Sequence, residues 1–148
     1  MSVSHRLTIT LTVLFAVLAT GCERYAVTLN ERPVYTPESV YSGYRIADRA
    51  LASCIKQAVT EKKIKQPEQL LALNCSHAGV SQLNGIEVFS KLKTVNLSNN
   101  QLSDIKPLLF LGNLQQVNLN DNPAVNCVDI ATLRDLLGDG NLQANACQ

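Results

Sequence analysis

Apolar residues between Leu70 and Leu136 return to the same places every 22 positions, in register and without a gap. Leu70, Leu92, Leu114 and Leu136 open successive units. Behind them run the columns Leu73, Val95, Val117; Cys75, Leu97, Leu119; Leu83, Ile105, Cys127; Ile86, Leu108, Ile130; and Phe89, Leu111, Leu133. A fixed period of this length predicts a stacked solenoid, in which each unit buries the face its neighbour would expose. The Leu-x-x-Leu-x-Leu start of each unit predicts a short strand whose alternate side chains face opposite ways. On this reading Leu73 with Cys75, Val95 with Leu97, and Val117 with Leu119 point inward. The outward positions form the candidate binding face: Ala72, Asn74 and Ser76; Thr94, Asn96 and Ser98; Gln116, Asn118 and Asn120. His77, Asn99 and Asp121 continue the three rows.

The segment before the repeats has a helical period. Ile46, Ala50, Leu51, Cys54, Ile55, Ala58 and Val59 share one face, while Asp48, Arg49, Lys56, Gln57 and Lys63 fall elsewhere. Thr36-Pro37-Glu38 reads as a helix start, with a cap, a first-turn proline and an acid near the positive end. Such a helix would cover the apolar end that a terminal solenoid unit exposes. Asn100 and Asn122 fall where the chain leaves each strand, where an amide can satisfy backbone groups inside the bend. Asp104 and Pro107 fit the return turn. Beyond Asn122 the pattern decays. Thr132 to Leu137 reads as a short amphipathic helix ended by Gly138, with Gly140 and Asn141 turning the chain back as a C-terminal cap.

The N-terminus has a different character. His5 and Arg6 precede the apolar run Leu7 to Leu18. As a helix, twelve residues rise only about 18 Å, against roughly 30 Å of membrane hydrocarbon. The run therefore fits a signal peptide rather than a membrane span. Ala19-Thr20-Gly21-Cys22 resembles the lipobox of bacterial lipoproteins, in which the cysteine is lipidated and becomes the new N-terminus. Ala19 stands where that motif usually has Leu, and Ala19 with Gly21 also suits ordinary signal peptidase. The resemblance implies acylation (palmitate or similar chains) at Cys22. With Glu23 rather than Asp next, it implies retention in the bacterial outer membrane, facing the periplasm. Glu23 to Tyr35, polar and interrupted by Pro33, reads as an extended tether.

Five cysteines stand out in a chain of 148 residues. With Cys22 assigned to the anchor, Cys54, Cys75, Cys127 and Cys147 remain, and in an exported chain they read as two disulfides. The repeat register puts Cys75 in the first unit and Cys127 in the last, too far apart to join. Cys54–Cys75 and Cys127–Cys147 would each close a local loop of about 20 residues, worth roughly 3 kcal/mol by chain entropy. No CxxC pair or paired-histidine spacing supports a metal site instead.

The unit from Leu92 through Val95, Leu97, Asn100, Leu102, Asp104, Ile105 and Pro107 to Leu108 closely resembles the 22-residue leucine-rich repeat of bacterial internalins. The unit from Leu114 through Val117, Leu119 and Asn122 follows it for about half its length. The first unit departs, with Ala78 in place of the asparagine and Gly85 in place of the proline. The resemblance implies an α/β leucine-rich-repeat solenoid of about three repeats, with an N-terminal helical cap and a disulfide-closed C-terminal cap. The boundaries expected are 1–21 for the signal peptide, 22–35 for the tether, 36–66 for the helical cap, 67–135 for the repeats and 136–148 for the last cap.

Charge narrows the function. Thirteen basic and twelve acidic residues leave a formal net charge of +1, with no tryptophan. That gives no field for nucleic acid and little base-stacking surface. No catalytic Ser/His/Asp order or phosphate-cradling glycine loop is present, and His77 is a lone surface histidine. Asp121 and Asp129 near Asn126 lack calcium-loop spacing. The sequence therefore points to a monomeric, cofactor-free scaffold binding an envelope protein or peptide on its concave face. The alternative is a structural or assembly role through the helix, at Asp48, Arg49 and Lys56, or through the convex side; an enzyme or glycan-binding protein is the third reading.

Overall fold

A computed structural model describes residues 27–29, 32–35, 39–138 and 140–147. The signal segment, Cys22 and the Thr36–Glu38 helix start lie outside the described residues. The chain divides into two units, Met1–Glu38 and Ser39–Gln148. In the first, β1 (Val27–Leu29) and β2 (Arg32–Tyr35) pair antiparallel, with an irregular register between Val27 and Thr28. Part of the stretch expected to be an extended tether is thus paired with itself. Among the described residues no helix is long and apolar enough to cross a membrane.

The second unit begins with an irregular segment and then α1 (Arg49–Glu61). Leu51, Ile55 and Val59 form its buried stripe, one turn apart, as an amphipathic helix requires. The helix starts later than its apolar period implied, because Asp48 caps it: the carboxylate accepts the Leu51 backbone N–H at 2.9 Å. Tyr44 and Ile46, ahead of the cap, still pack on the core. Tyr41, Tyr44 and Phe89 cluster there with ring centroids 5.6 to 6.3 Å apart.

The repeats follow as β3 (Ala72–Asn74), β4 (Thr94–Asn96) and β5 (Gln116–Asn118), all parallel. Thr94 faces Ala72 and Gln116 faces Thr94, so the 22-residue period is also the strand register. Each strand returns along the opposite side of the solenoid. The returns are a 3-10 turn (Ile86–Val88), then α2 (Lys106–Leu109), then α3 (Cys127–Leu137). Pro107 sits in the first turn of α2, and Asp104 Oδ1 accepts the Lys106 N–H at 2.9 Å. Leu73, Val95 and Val117, with Cys75, Leu97 and Leu119, are buried in one core with the return residues Ile86, Leu108 and Ile130.

The last turn differs from the expectation in several ways. First, β6 (Leu142–Gln143) adds a fourth parallel strand, with Leu142 opposite Val117 and Gln143 opposite Asn118. This rung is spaced 25 residues from the previous one rather than 22. The extra length is taken up by α3, which has 11 residues where α2 has 4. Second, α3 starts at Cys127 rather than near Thr132, because the Asn126 side chain accepts the Val128 N–H at 2.8 Å as its cap. Third, Cys127 is exposed in the first helical turn rather than buried in the Leu83 and Ile105 column, and Val125 is the buried residue of this stretch. Leu136 opens no further unit: it lies on α3 and is 64% exposed.

Two disulfides close the two ends of the stack. Cys54 of α1 is bonded to Cys75, with Cα atoms 5.8 Å apart. Cys127 of α3 is bonded to Cys147, with Cα atoms 5.6 Å apart.

Candidate functional site

The face of the sheet opposite the core is built from outward side chains at regular intervals. Register places Ala72, Thr94 and Gln116 in one column and Asn74, Asn96, Asn118 and Gln143 in the next. Every one of these is uncharged. A shallow concavity of about 230 Å³ lies over β4 to β6, lined by Thr94, Asn96, Gln116, Asn118, Asn141 and Gln143 among others. Asn141 and Gln143 were not among the expected contacts, because a strict 22-residue count runs past them. The Leu142-x-Ala144 echo of Val117-x-Leu119 is the signal that would have found the fourth strand.

The asparagine column is ordered by its own backbone. Asn74 Oδ1 accepts the Ser76 N–H at 3.2 Å. Asn96 Oδ1 accepts from Ser98 at 3.0 Å, and Asn118 Oδ1 from Asn120 at 3.0 Å. These side chain to backbone bonds, two residues forward, are the local alternative to a ladder bond that Asn favours where a strand ends. Among the described residues, the Nδ2 groups of these three amides donate no hydrogen bond within the protein. Each amide is held by its oxygen and offers its donor outward.

Of the remaining face residues, Thr94 and Gln116 are exposed, and Ser76 and Asn120 are half-buried. Ser98 is a correction: at 8% exposure it is not a surface contact. Its carbonyl takes hydrogen bonds from the His77 N–H and from Asn100 Nδ2, so the chain here is already bending beneath the turn. His77, Asn99 and Asp121 each adopt a left-handed backbone, with φ of 56°, 56° and 59°. His, Asn and Asp are the non-glycine residues that tolerate this region most readily. Turn geometry thus explains all three, the lone histidine included.

Asn100 and Asn122 are interior structural residues. Asn100 Nδ2 donates to the carbonyls of Cys75 and Leu97 at 2.8 Å, and its Oδ1 accepts the Val80 N–H at 3.0 Å. Asn122 repeats this one unit later, toward Leu97, Leu119 and Leu102. Each amide serves the turn of the unit before it. That explains Ala78: the first unit has no preceding repeat to serve.

Asp48 is likewise a joint rather than an available charge. Its Oδ2 accepts from the Ser81 N–H, the Ser81 hydroxyl and the Gln82 N–H at 2.8 to 3.0 Å, tying the start of α1 to the first repeat. Burial alone would raise its pKa, but these bonds and that from Leu51 outweigh it and hold the carboxyl at about 2. Arg49 and Lys56 remain exposed.

Residues 90–135 match the family described as leucine-rich repeats, two copies. No curated protein matches the chain. Among solved structures, the chain is similar to an internalin from Listeria monocytogenes, at 23% identity and a TM-score of 0.43, covering 58% of this chain and 34% of that one. It is also similar to the structure of the CBM51-2 and INT domains of Clostridium perfringens ZmpB, at 22% identity and a TM-score of 0.41, covering 55% of this chain and 19% of that one. The chain thus spans about a third and a fifth of the lengths of these two structures.

Proposed function

We propose that the chain is an exported, lipid-anchored leucine-rich-repeat module that binds a segment of an envelope protein on the outer face of β3 to β6. The observation that carries this reading is the continuous, uncharged amide and hydroxyl surface over four parallel strands. One face of the sheet is fully committed to the core, and the other has regular polar positions and a concavity. A solenoid's sheet provides such an extended concave surface. Binding rather than turnover fits a face of amides and hydroxyls with no acid–base pair among them.

Anchoring rests on the Leu7–Leu18 run and on the resemblance of Ala19-Thr20-Gly21-Cys22 to a lipobox. Glu23 favours the outer membrane, with the module facing the periplasm. Metabolic acyl labelling tests this part: incorporation that disappears in Cys22→Ser supports it, and unlabelled wild-type protein refutes it. For the binding face, chemical cross-linking in intact cells compares wild type with an Asn96→Arg, Asn118→Arg variant. Loss of a cross-linked species in the variant supports concave-face binding, and an unchanged set of species refutes it.

A second reading has its own support. Phe110, 76% exposed, and Leu136 stand near a leucine-lined groove of about 110 Å³ between α2 and α3, on the convex side. Contacts mapping there, with the strand face untouched, would assign the module an assembly role.

A further inference from the structure

The locked amides specify what the concave face can receive, given that this face is the binding surface. Asn74, Asn96 and Asn118 stand in one column on neighbouring parallel strands. Each Oδ1 is engaged by a backbone N–H two residues on. An outside group therefore meets three amide donors, each held through its own oxygen in the same way. Neighbouring strands lie about 4.8 Å apart, so the three donors span roughly 10 Å across the sheet.

The spacing discriminates between partner conformations. An extended strand presents same-face side chains about 6.8 Å apart, so three of them span roughly 14 Å and overrun the column by nearly one rung. Side chains at i, i+4 and i+7 of an α-helix span about 10.5 Å, which matches it. The chemistry discriminates between side chains. Carboxylates only accept, whereas lysine and arginine only donate and would meet donors. One border of the face agrees in sign. Lys62 Nζ donates to the Ala72 carbonyl, which holds an ammonium at the start of β3, and Lys93 is exposed just before β4; the opposite border carries Asp121, past the end of β5.

We propose that the concave face receives an α-helix of the partner protein, lying across the strands, with acidic side chains on successive turns facing Asn74, Asn96 and Asn118. The helix supplies three acceptors at the pitch of the sheet. The amides donate one hydrogen bond to each, and the two lysines at the strand starts favour the helix's net negative charge.

The test uses isotope-labelled protein and three synthetic peptides of equal length. One is a lactam-stapled helix with Glu at i, i+4 and i+7, one is the same helix with Lys there, and one is an extended peptide with alternating Glu. The expected result is that the Glu helix shifts the side-chain amide signals of the three asparagines and binds at least about tenfold tighter than either other peptide. An Asn96→Ala, Asn118→Ala variant with an unchanged backbone spectrum is expected to lose that preference. Equal binding of the Glu and Lys helices, or tighter binding of the extended peptide, with shifts still on the strand face, overturns the helix proposal and leaves concave-face binding standing. Shifts confined to α2 and α3 overturn both. No shift with any peptide at millimolar concentration overturns the helix proposal.

Discussion

Asn145 supplies from its side chain the rung that the backbone supplies elsewhere: its Oδ1 accepts the Asp121 N–H at 2.7 Å, and its Nδ2 donates to Asp121 Oδ1 at 2.9 Å. At the equivalent places the His77 and Asn99 N–H groups donate to the main-chain carbonyls of Ser98 and Asn120. The chain beyond β6 does not continue the strand ladder, so an amide closes it. Asn145→Ala is expected to cost about 1 kcal/mol, as both bonds are solvent-accessible. Asn145→Asp is expected to cost more at neutral pH, by setting a carboxylate against Asp121, with recovery in acid. Urea midpoints at neutral and acidic pH check both.

Asn100→Ala removes one side chain and orphans the Val80 N–H and the Cys75 carbonyl inside the turn. The expected loss is about 3 kcal/mol, since buried groups left unpaired cost their full desolvation. Asn120→Ala, on the same scale, is expected to change stability by less than about 0.5 kcal/mol, as an outward substitution. Thermal unfolding of the two variants side by side measures the contrast.

Gly85 has φ of 98°, and a Cβ there would lie 2.3 Å from the Arg45 carbonyl oxygen. Gly85→Ala is expected to destabilise by at least about 2 kcal/mol, from the left-handed backbone and the contact together. Displacement of the Arg45 segment would also show as altered fluorescence of Tyr41 and Tyr44, which pack against Phe89.

The Asp48 carboxyl titrates at about 2 in the folded protein against 3.8 for the unperturbed group. A depressed folded pKa means the stabilisation is fully present above the unfolded value and is lost as pH falls from about 4 toward 2. Asp48→Asn keeps the helix cap but turns an amide donor toward the donors of Ser81 and Gln82. The variant is expected to be less stable at neutral pH and to show a flatter acid limb. Denaturation at a series of pH values reads both effects.

Much of the scaffold was legible because period and register are the same quantity. The column Leu73, Val95, Val117 fixes which residues stack, and parallel pairing at 22-residue offsets follows from it. Legibility stopped where the period changed. Leu142 pairs with Val117 across 25 residues, so β6 and the contacts Asn141 and Gln143 escaped a strict count. The outward pattern identified the column of Asn74, Asn96 and Asn118 but not the orientation of its amides, which depends on hydrogen bonds two residues forward. Ser98 was misplaced for a related reason: strand alternation was carried two residues past the end of β4, into a chain already held by Asn100. Gly85 read as a mere departure from the repeat, because its constraint comes from Arg45, far away in sequence.

Binding at the strand face is read out by placing a photo-crosslinking amino acid in the living cell at Gln116 on β5 or at Phe110 on the convex side. The expected result is a discrete cross-linked protein from Gln116, absent when Asn96 and Asn118 are replaced, and none from Phe110. A cross-linked partner from Phe110 with nothing captured at Gln116 overturns strand-face binding.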